Sequence, residues 1–267
     1  GQARVEKLGQ GGQQVAYIVC VTRAGGKEKK TRTCDVAKVR KLPNRPDPKH
    51  QAQAVKASIG ALRQDLAIFE AARVVTKHAS WKGKPLARVA RITHPKLLAE
   101  GVVTSEFIQF RHTPEVDRMF TALRGPDGPM RDHAWEEAPK FKVNRVKLLG
   151  FFDAFSSLRK IGPDVIRLSS FVRRCQEVAA VPTARRFCDT IQRTYRIPGD
   201  FLDRVRALEQ LYRESAAQVI RFKRANFKRA TGNPGADGKT REIGLDYNHG
   251  RNVGWDPRTE QFVLFDA

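Results

Sequence analysis

Long hydrophobic runs are what this sequence most plainly lacks. No stretch approaches the roughly 18 apolar residues that a membrane span requires, and the N-terminal segment has no apolar core of the kind a secretory signal carries. Closely spaced cysteines are missing as well. The four present (Cys20, Cys34, Cys175, Cys188) form no C-x-x-C pair and have no histidine at ligand spacing, which excludes a zinc finger or ribbon. Each sits among apolar residues, where a free thiol behaves as a small hydrophobe. The expectation is therefore four free thiols in a reducing, cytoplasmic setting. There is no G-x-S-x-G and no histidine pair at i, i+4, so serine-hydrolase and zincin chemistries drop out. Acidic residues are scarce too. Twenty-eight Asp and Glu stand against fifty Lys and Arg, a formal net charge of +22. A field of that sign repels cationic partners and attracts polyanions: nucleic acid, anionic lipid or an acidic protein.

What is present divides by pattern. With 267 residues the chain can bury one large two-lobed core or two small ones. Toward the N-terminus, Val15 to Val21 and Cys34 to Val39 are β-branched runs, and Arg23 to Lys27 reads as the hairpin connection between them. Lys41 to Lys49, with three prolines, reads as a loop. From Gln51 to Lys77 the apolar residues Ala54, Ile59, Leu62, Leu66, Phe69 and Val74 recur at helical spacing, which predicts a long amphipathic helix. Strands are expected over Leu86 to Ile92 and Gly101 to Phe110, with Trp81 to Lys84 as a turn. The proline-bearing stretch Arg111 to Lys142 reads as a mostly irregular connection. Four helices should follow, over Val143–Ile161, Pro163–Ala180, Pro182–Arg196 and Asp200–Lys228. Within the last, Arg221 to Arg229 is the densest basic run, with Phe222 and Phe227 placed either to stack on bases or to face a core. Ala230 to Thr240 is a flexible loop. His78, His94, His112 and His133 are scattered and read as surface or loop residues, and Trp81, Trp135 and Trp255 as packing residues.

The C-terminal stretch from Gly244 to Ala267 carries the most chemistry. A polar loop with Asp246, Asn248, His249 and Asn252 leads into short apolar runs, and Phe262 to Phe265 delivers Asp266. An amide and a carboxylate at the ends of neighbouring strands supply the oxygen ligands a hard cation needs.

Taken in order, these residues resemble the protein-kinase-like fold, in its aminoglycoside-phosphotransferase and compact bacterial effector-kinase forms. Leu8 to Ala16, with Gly9, Gly11 and Gly12 ahead of Val15, is similar to the glycine-rich loop that lets backbone approach triphosphate oxygens. Val36-Ala37-Lys38 resembles the strand whose lysine holds the α- and β-phosphates. Glu70 would pair with that lysine from the following helix, with Asp65 as the alternative. Val102 to Ile108 resembles the strand entering the hinge, which assigns Glu106 and Ile108 to the adenine edge. Asn252-Val253-Gly254-Trp255-Asp256 and Leu264-Phe265-Asp266 resemble the metal-binding hairpin, so Asn252 and Asp266 would be Mg²⁺ ligands. Two departures stand out. Tyr247 falls where the catalytic aspartate belongs, leaving Asp246, one position early, or His249 as the base. No activation segment follows Asp266 in this sequence, so the helical block would have to supply the C-lobe.

The resemblance implies an α+β, two-lobed fold: a small antiparallel sheet with one long helix over residues 1–110, then a mostly helical lobe over 111–267 whose catalytic and metal loop spans 244–267. It implies an ATP- and Mg²⁺-dependent phosphotransferase acting on a protein or an anionic acceptor, with nucleic acid or anionic lipid as contacts of the basic surface. The alternatives are a pseudokinase or RNA-binding scaffold without catalysis, and an AMP-transferring enzyme on the same fold. The expected location is the bacterial cytoplasm, or a host cell for an effector.

Overall fold

In the computed structural model the β-branched runs near the N-terminus pair as strands. The structure describes residues 2–10, 14–23, 31–40, 49, 51–53, 55–56, 59–60, 72–74, 76–108, 110–124, 128–159, 164–226 and 252–265, with backbone alone at 2, 23, 31, 40, 98 and 215–226. Two compact units emerge: residues 1–74 with 89–108 and Ala267 in one, residues 75–88 with 109–266 in the other. The fold is α+β.

The first unit holds a four-stranded antiparallel sheet in the order β1-β2-β3-β7, made of Gln2–Gln10, Gln14–Arg23, Thr31–Arg40 and Val102–Glu106. Facing residues on antiparallel strands share a side of the sheet. Ile18 faces Val36, and Val36 faces Ser105. All three are buried. Ile92 bridges Ser105 on the far side of β7. The strand expected over Gly101 to Phe110 is shorter than its apolar run, because Ile108 and Phe110 are buried without joining the ladder. Of the long helix expected over Gln51 to Lys77, the described residues 51–53, 55–56, 59–60, 72–74 and 76–77 are helical.

In the second unit, Ser80–Trp81 (β4) and Lys84–Pro85 (β5) form a two-residue hairpin. Its turn residues Lys82 and Gly83 both have positive φ, 49° and 77°, as a type I′ turn demands. Ala87–Val89 (β6), Val253–Asp256 (β8) and Gln261–Leu264 (β9) make a sheet in the order β6-β9-β8, so the expected strand Leu86 to Ile92 pairs over only part of its length.

The irregular connection expected over Arg111 to Lys142 is instead helical. Pro114–Ala122 (α1) and Pro129–Glu137 (α2) are α-helices, followed by a 3₁₀ turn over Ala138–Phe141. Pro114, Pro129 and Pro139 sit in the first turn of their helices, where a missing N–H has no partner to lose. The Thr113 hydroxyl caps α1 by accepting from the Val116 amide. Gly128 precedes α2, and a Cβ there would stand 2.6 Å from the Ala122 carbonyl oxygen.

Arg145–Ser157 (α3), Val165–Glu177 (α4), Pro182–Thr194 (α5) and Phe201–Asn226 (α6) complete the unit. The helix expected to open at Pro163 is capped by Asp164, whose carboxylate accepts from the Arg167 amide at 2.9 Å. Phe151, Phe155, Phe171 and Phe187 are fully buried, and the Phe155 ring meets the Phe187 ring edge-on at 4.6 Å. Each such ring contributes about 1.5–3 kcal/mol by burial. On α6, Phe201, Val205, Leu208 and Tyr212 repeat at helical spacing and are all buried.

The cysteines are not free. Cys20 is bonded to Cys34 across β2 and β3, and Cys175 to Cys188 between α4 and α5. Cys20, Cys175 and Cys188 are buried, and the sulfurs meet as pairs rather than as free thiols. Among the described residues no helix is long and apolar enough to cross a membrane.

Candidate functional site

Lys38 lies in β3 between Ala16 of β2 and Val103 of β7. Period-two alternation puts it on the same side of the strand as Val36, so this lysine shares the sheet face of Ile18 and Val103 and is half-buried. Gly9 and Val15 lie near the β1–β2 turn, where Gly9 faces Ala16 and Gln10 faces Val15. The register shifts between Lys7 and Gly9, leaving Leu8 as an extra residue that bends the strand. A Cβ at Gly9 would meet no heavy atom within 4 Å. Gly11, Gly12, Glu70 and the alternative Asp65 lie outside the described residues.

Glu106 ends β7. Its carboxylate accepts from the Arg91 amide at 2.8 Å, and its own amide donates to the Arg91 carbonyl at 2.8 Å. Ile108, two residues on, is 4% exposed.

The terminal hairpin is defined in more detail. Val253 faces Leu264, Gly254 faces Val263 and Trp255 faces Phe262. The ladder extends one step further, because the Phe265 amide donates to the Asn252 carbonyl at 2.8 Å. Asn252 therefore lies opposite the residue that immediately precedes Asp266. Asp266 itself, with Asp246, His249 and the basic side chains of Arg221 to Arg229, lies outside the residues or side chains described. The Phe265 ring lies over Gly254, where a Cβ would come within 2.5 Å of it. Glycine at 254 is thus required by close approach of an aromatic ring.

Packing holds this hairpin from three sides. The Phe262 amide donates to the Leu86 carbonyl at 3.0 Å. Trp255 is fully buried, donates its indole N–H to the Tyr195 carbonyl at 2.9 Å, and meets Phe201 and Phe262 edge-on. Gly254 bridges Asp164, the cap of α4.

Asp256 is the residue whose role composition and pattern did not reveal. It is 0% exposed, yet it accepts from the Arg258 amide at 3.0 Å, the Arg258 Nε at 3.1 Å and the Arg88 guanidinium at 2.9 Å. Burial alone would raise its carboxyl pKa, but the hydrogen bonds from Arg258 and Arg88 outweigh that and hold it below the ordinary carboxylate value. The Asp-Pro-Arg run after an apolar strand was the available signal.

Two further polar clusters form around Asp200 and His112. Asp200 accepts from the Trp81 indole at 2.8 Å and from Arg204 Nε at 2.8 Å, with Lys82 at 3.7 Å. The Trp81 hydrogen bond, opposed by burial and aided by Arg204 and Lys82, lowers its pKa. His112 Nδ1 accepts from the buried Tyr195 hydroxyl, which leaves Nε2 to donate to the Arg159 carbonyl at 3.3 Å. Burial, reinforced by the Asp117 carboxylate, keeps Tyr195 protonated well beyond the usual phenol range. In the first unit, His94 pairs with Asp35 at 3.2 Å.

None of the residues expected in a site lines the open depression of about 530 Å³ at the end of α5, which lies against Arg193, Arg196, Pro198 and Glu260. No family model, curated protein or solved structure matches this chain. Among the described residues no group of three His, Cys, Asp or Glu side chains could hold a metal ion.

Proposed function

We propose that the protein is an ATP- and Mg²⁺-dependent phosphotransferase of the protein-kinase-like type. The observation that carries this reading is the hairpin register: the Phe265-to-Asn252 hydrogen bond aligns Asn252 with the residue before Asp266. An amide oxygen and a carboxylate oxygen are hard donors suited to Mg²⁺, and two protein ligands leave the remaining positions to water and phosphate oxygens. Bound Mg-ATP would supply the transferable phosphoryl group. For the chain's part, Lys38 holds phosphate charge from the central strand and the Gly9 turn offers backbone that a ligand can approach closely. Asp246 or His249 takes the acceptor proton. Support for Lys38 comes from its place on an interior strand of the sheet, opposite Ala16 of β2 and Val103 of β7. The net charge of +22 favours a protein or anionic acceptor by steering.

The disulfides bear on location. Bonded cysteines accord with passage through an oxidising compartment, so delivery out of the producing cell fits them better than residence in its cytoplasm.

The test is thermal denaturation with Mg-ATP. At about a hundredfold excess over Kd, a ligand that binds only the folded state stabilises by about 2.7 kcal/mol. That is a rise of about 5–10 °C for a chain of this size. Lys38→Ala and Asp266→Ala should each remove most of the rise. Label transfer from γ-labelled ATP identifies phosphorylation and transfer from α-labelled ATP identifies AMP transfer. Stabilisation without either identifies a non-catalytic nucleotide binder, and no stabilisation overturns the reading.

A further inference from the structure

We infer that the segment from Ala138 to Gly150 is a docking surface for anionic lipid bilayers. The inference rests on the second unit's surface alone and is independent of the phosphotransfer reading. Lys140, Lys142, Arg145 and Lys147 lie in this stretch, and Asp and Glu are absent from it. All four cations are exposed. Among the described residues none of them is within ion-pairing distance of a carboxylate, whereas Arg174 pairs with Glu177 and Arg206 with Asp203 on other helices. Glu136 is the nearest exposed acid in sequence, and Glu137 is occupied by the Thr183 amide and His133.

Large apolar side chains stand among these cations. Phe141 is 42% exposed, Val146 75% and Leu149 38%. Val146 and Leu149 are three residues apart on α3 and so emerge on one side of the helix. Three of the eight large hydrophobic residues exposed among the described ones thus fall within nine positions.

Helix energetics does not account for the pattern. The first turn of α3 has no acidic residue and carries Arg145 and Lys147, cations at the end where the helix dipole disfavours them. The N-terminal amides are served by Asn144, whose side chain accepts from Lys147 N at 2.9 Å, so the cations add nothing to capping. Arg145 is held over the Trp135 ring, 5.3 Å from its centroid, which brings a half-buried indole to the edge of the patch. Cations surrounding protruding apolar tips, with an indole alongside, match what an anionic membrane interface offers. Headgroups neutralise the charges, and the acyl boundary accepts Phe141, Val146 and Leu149 without a shaped pocket.

Vesicle co-sedimentation of the full chain tests this, with pure phosphatidylcholine against an equimolar mixture with phosphatidylglycerol. The parent should bind the mixed vesicles and not the neutral ones. Lys142→Glu/Lys147→Glu should weaken binding by more than about 25-fold, since each basic residue near the surface is worth roughly fivefold. Arg173→Glu/Arg186→Glu changes net charge equally at exposed positions on α4 and α5 and should stay within about threefold of the parent. Phe141→Ser/Val146→Ser should leave low-salt binding but lose the salt-resistant part. Unchanged melting temperatures establish that the variants are folded. Failure of the parent to bind mixed vesicles overturns the inference, as does equal loss in the patch and control pairs. Loss of RNA or acidic-protein binding with vesicle binding intact would reassign the surface to that partner.

Discussion

Asp256 shows how one side chain can hold a loop. A fully buried carboxylate is unfavourable by itself, and here it is matched by donors from β6 and from its own turn. Asp256→Asn keeps the shape but loses the charge-assisted bonds, worth about 1.5–3 kcal/mol. Because the folded-state pKa is depressed, the stabilisation is present above the unfolded carboxyl pKa of about 3.9 and is lost as pH falls through the lower folded value. The parent should therefore lose stability steeply on acidification below about pH 4. Asp256→Asn should be less stable at neutral pH and show a shallower acid limb. Urea titrations between pH 3 and 7 measure both, and an unchanged acid limb would assign the effect to other carboxylates such as Asp200. Lys38 and Gly9 had signals in their neighbours, a β-branched run and a glycine cluster. Asp256 had only a turn-like tripeptide, since burial of a charge is a tertiary property.

At the scale of elements, legibility followed local periodicity. Strands β2 and β3 were visible because alternation and β-branching survive without context. Helices α3 to α6 were visible from their apolar spacing, with ends misplaced by a turn or less where capping decided them. Helices α1 and α2 were missed because Pro114, Pro129 and Pro139 were read as breakers when they occupy first turns. The same reasoning misassigned the start of α4, whose cap is Asp164. Asp164→Ala removes both that cap and the ion pair with Arg167 at 3.5 Å. A loss of about 1 kcal/mol is expected from the cap, visible as a lowered urea midpoint with unchanged slope. The β-bridge from Asp164 to Gly254 is made by backbone groups, so the variant keeps it. The two disulfides were beyond local reading, because each pair is brought together only by the packing of neighbouring elements.

Across the whole molecule, each unit carries one covalent cross-link, Cys20–Cys34 in the first and Cys175–Cys188 in the second. Sequence separations of 14 and 13 residues correspond to about 3 kcal/mol of stabilisation apiece by loop closure. Protein matured in an oxidising compartment should show no reactive thiol in denaturant until it is reduced, and four afterwards. Reduced protein should unfold at distinctly lower urea. Free thiols in the unreduced protein would contradict the pairing.

The bond between Cys20 and Cys34 also constrains which sheet can form. A strand that slips by one residue turns every side chain over, and such a slip of β3 against β2 would send Lys38 to the side now held by Ala37. The cross-link makes that misalignment chemically inaccessible. Once oxidised, the chain keeps a memory of its alignment through unfolding: denatured and returned to buffer with the bond intact, it can restore only the β2–β3 pairing that sets Lys38 opposite Ala16. A reductant erases that memory, and refolding then has to find the alignment again.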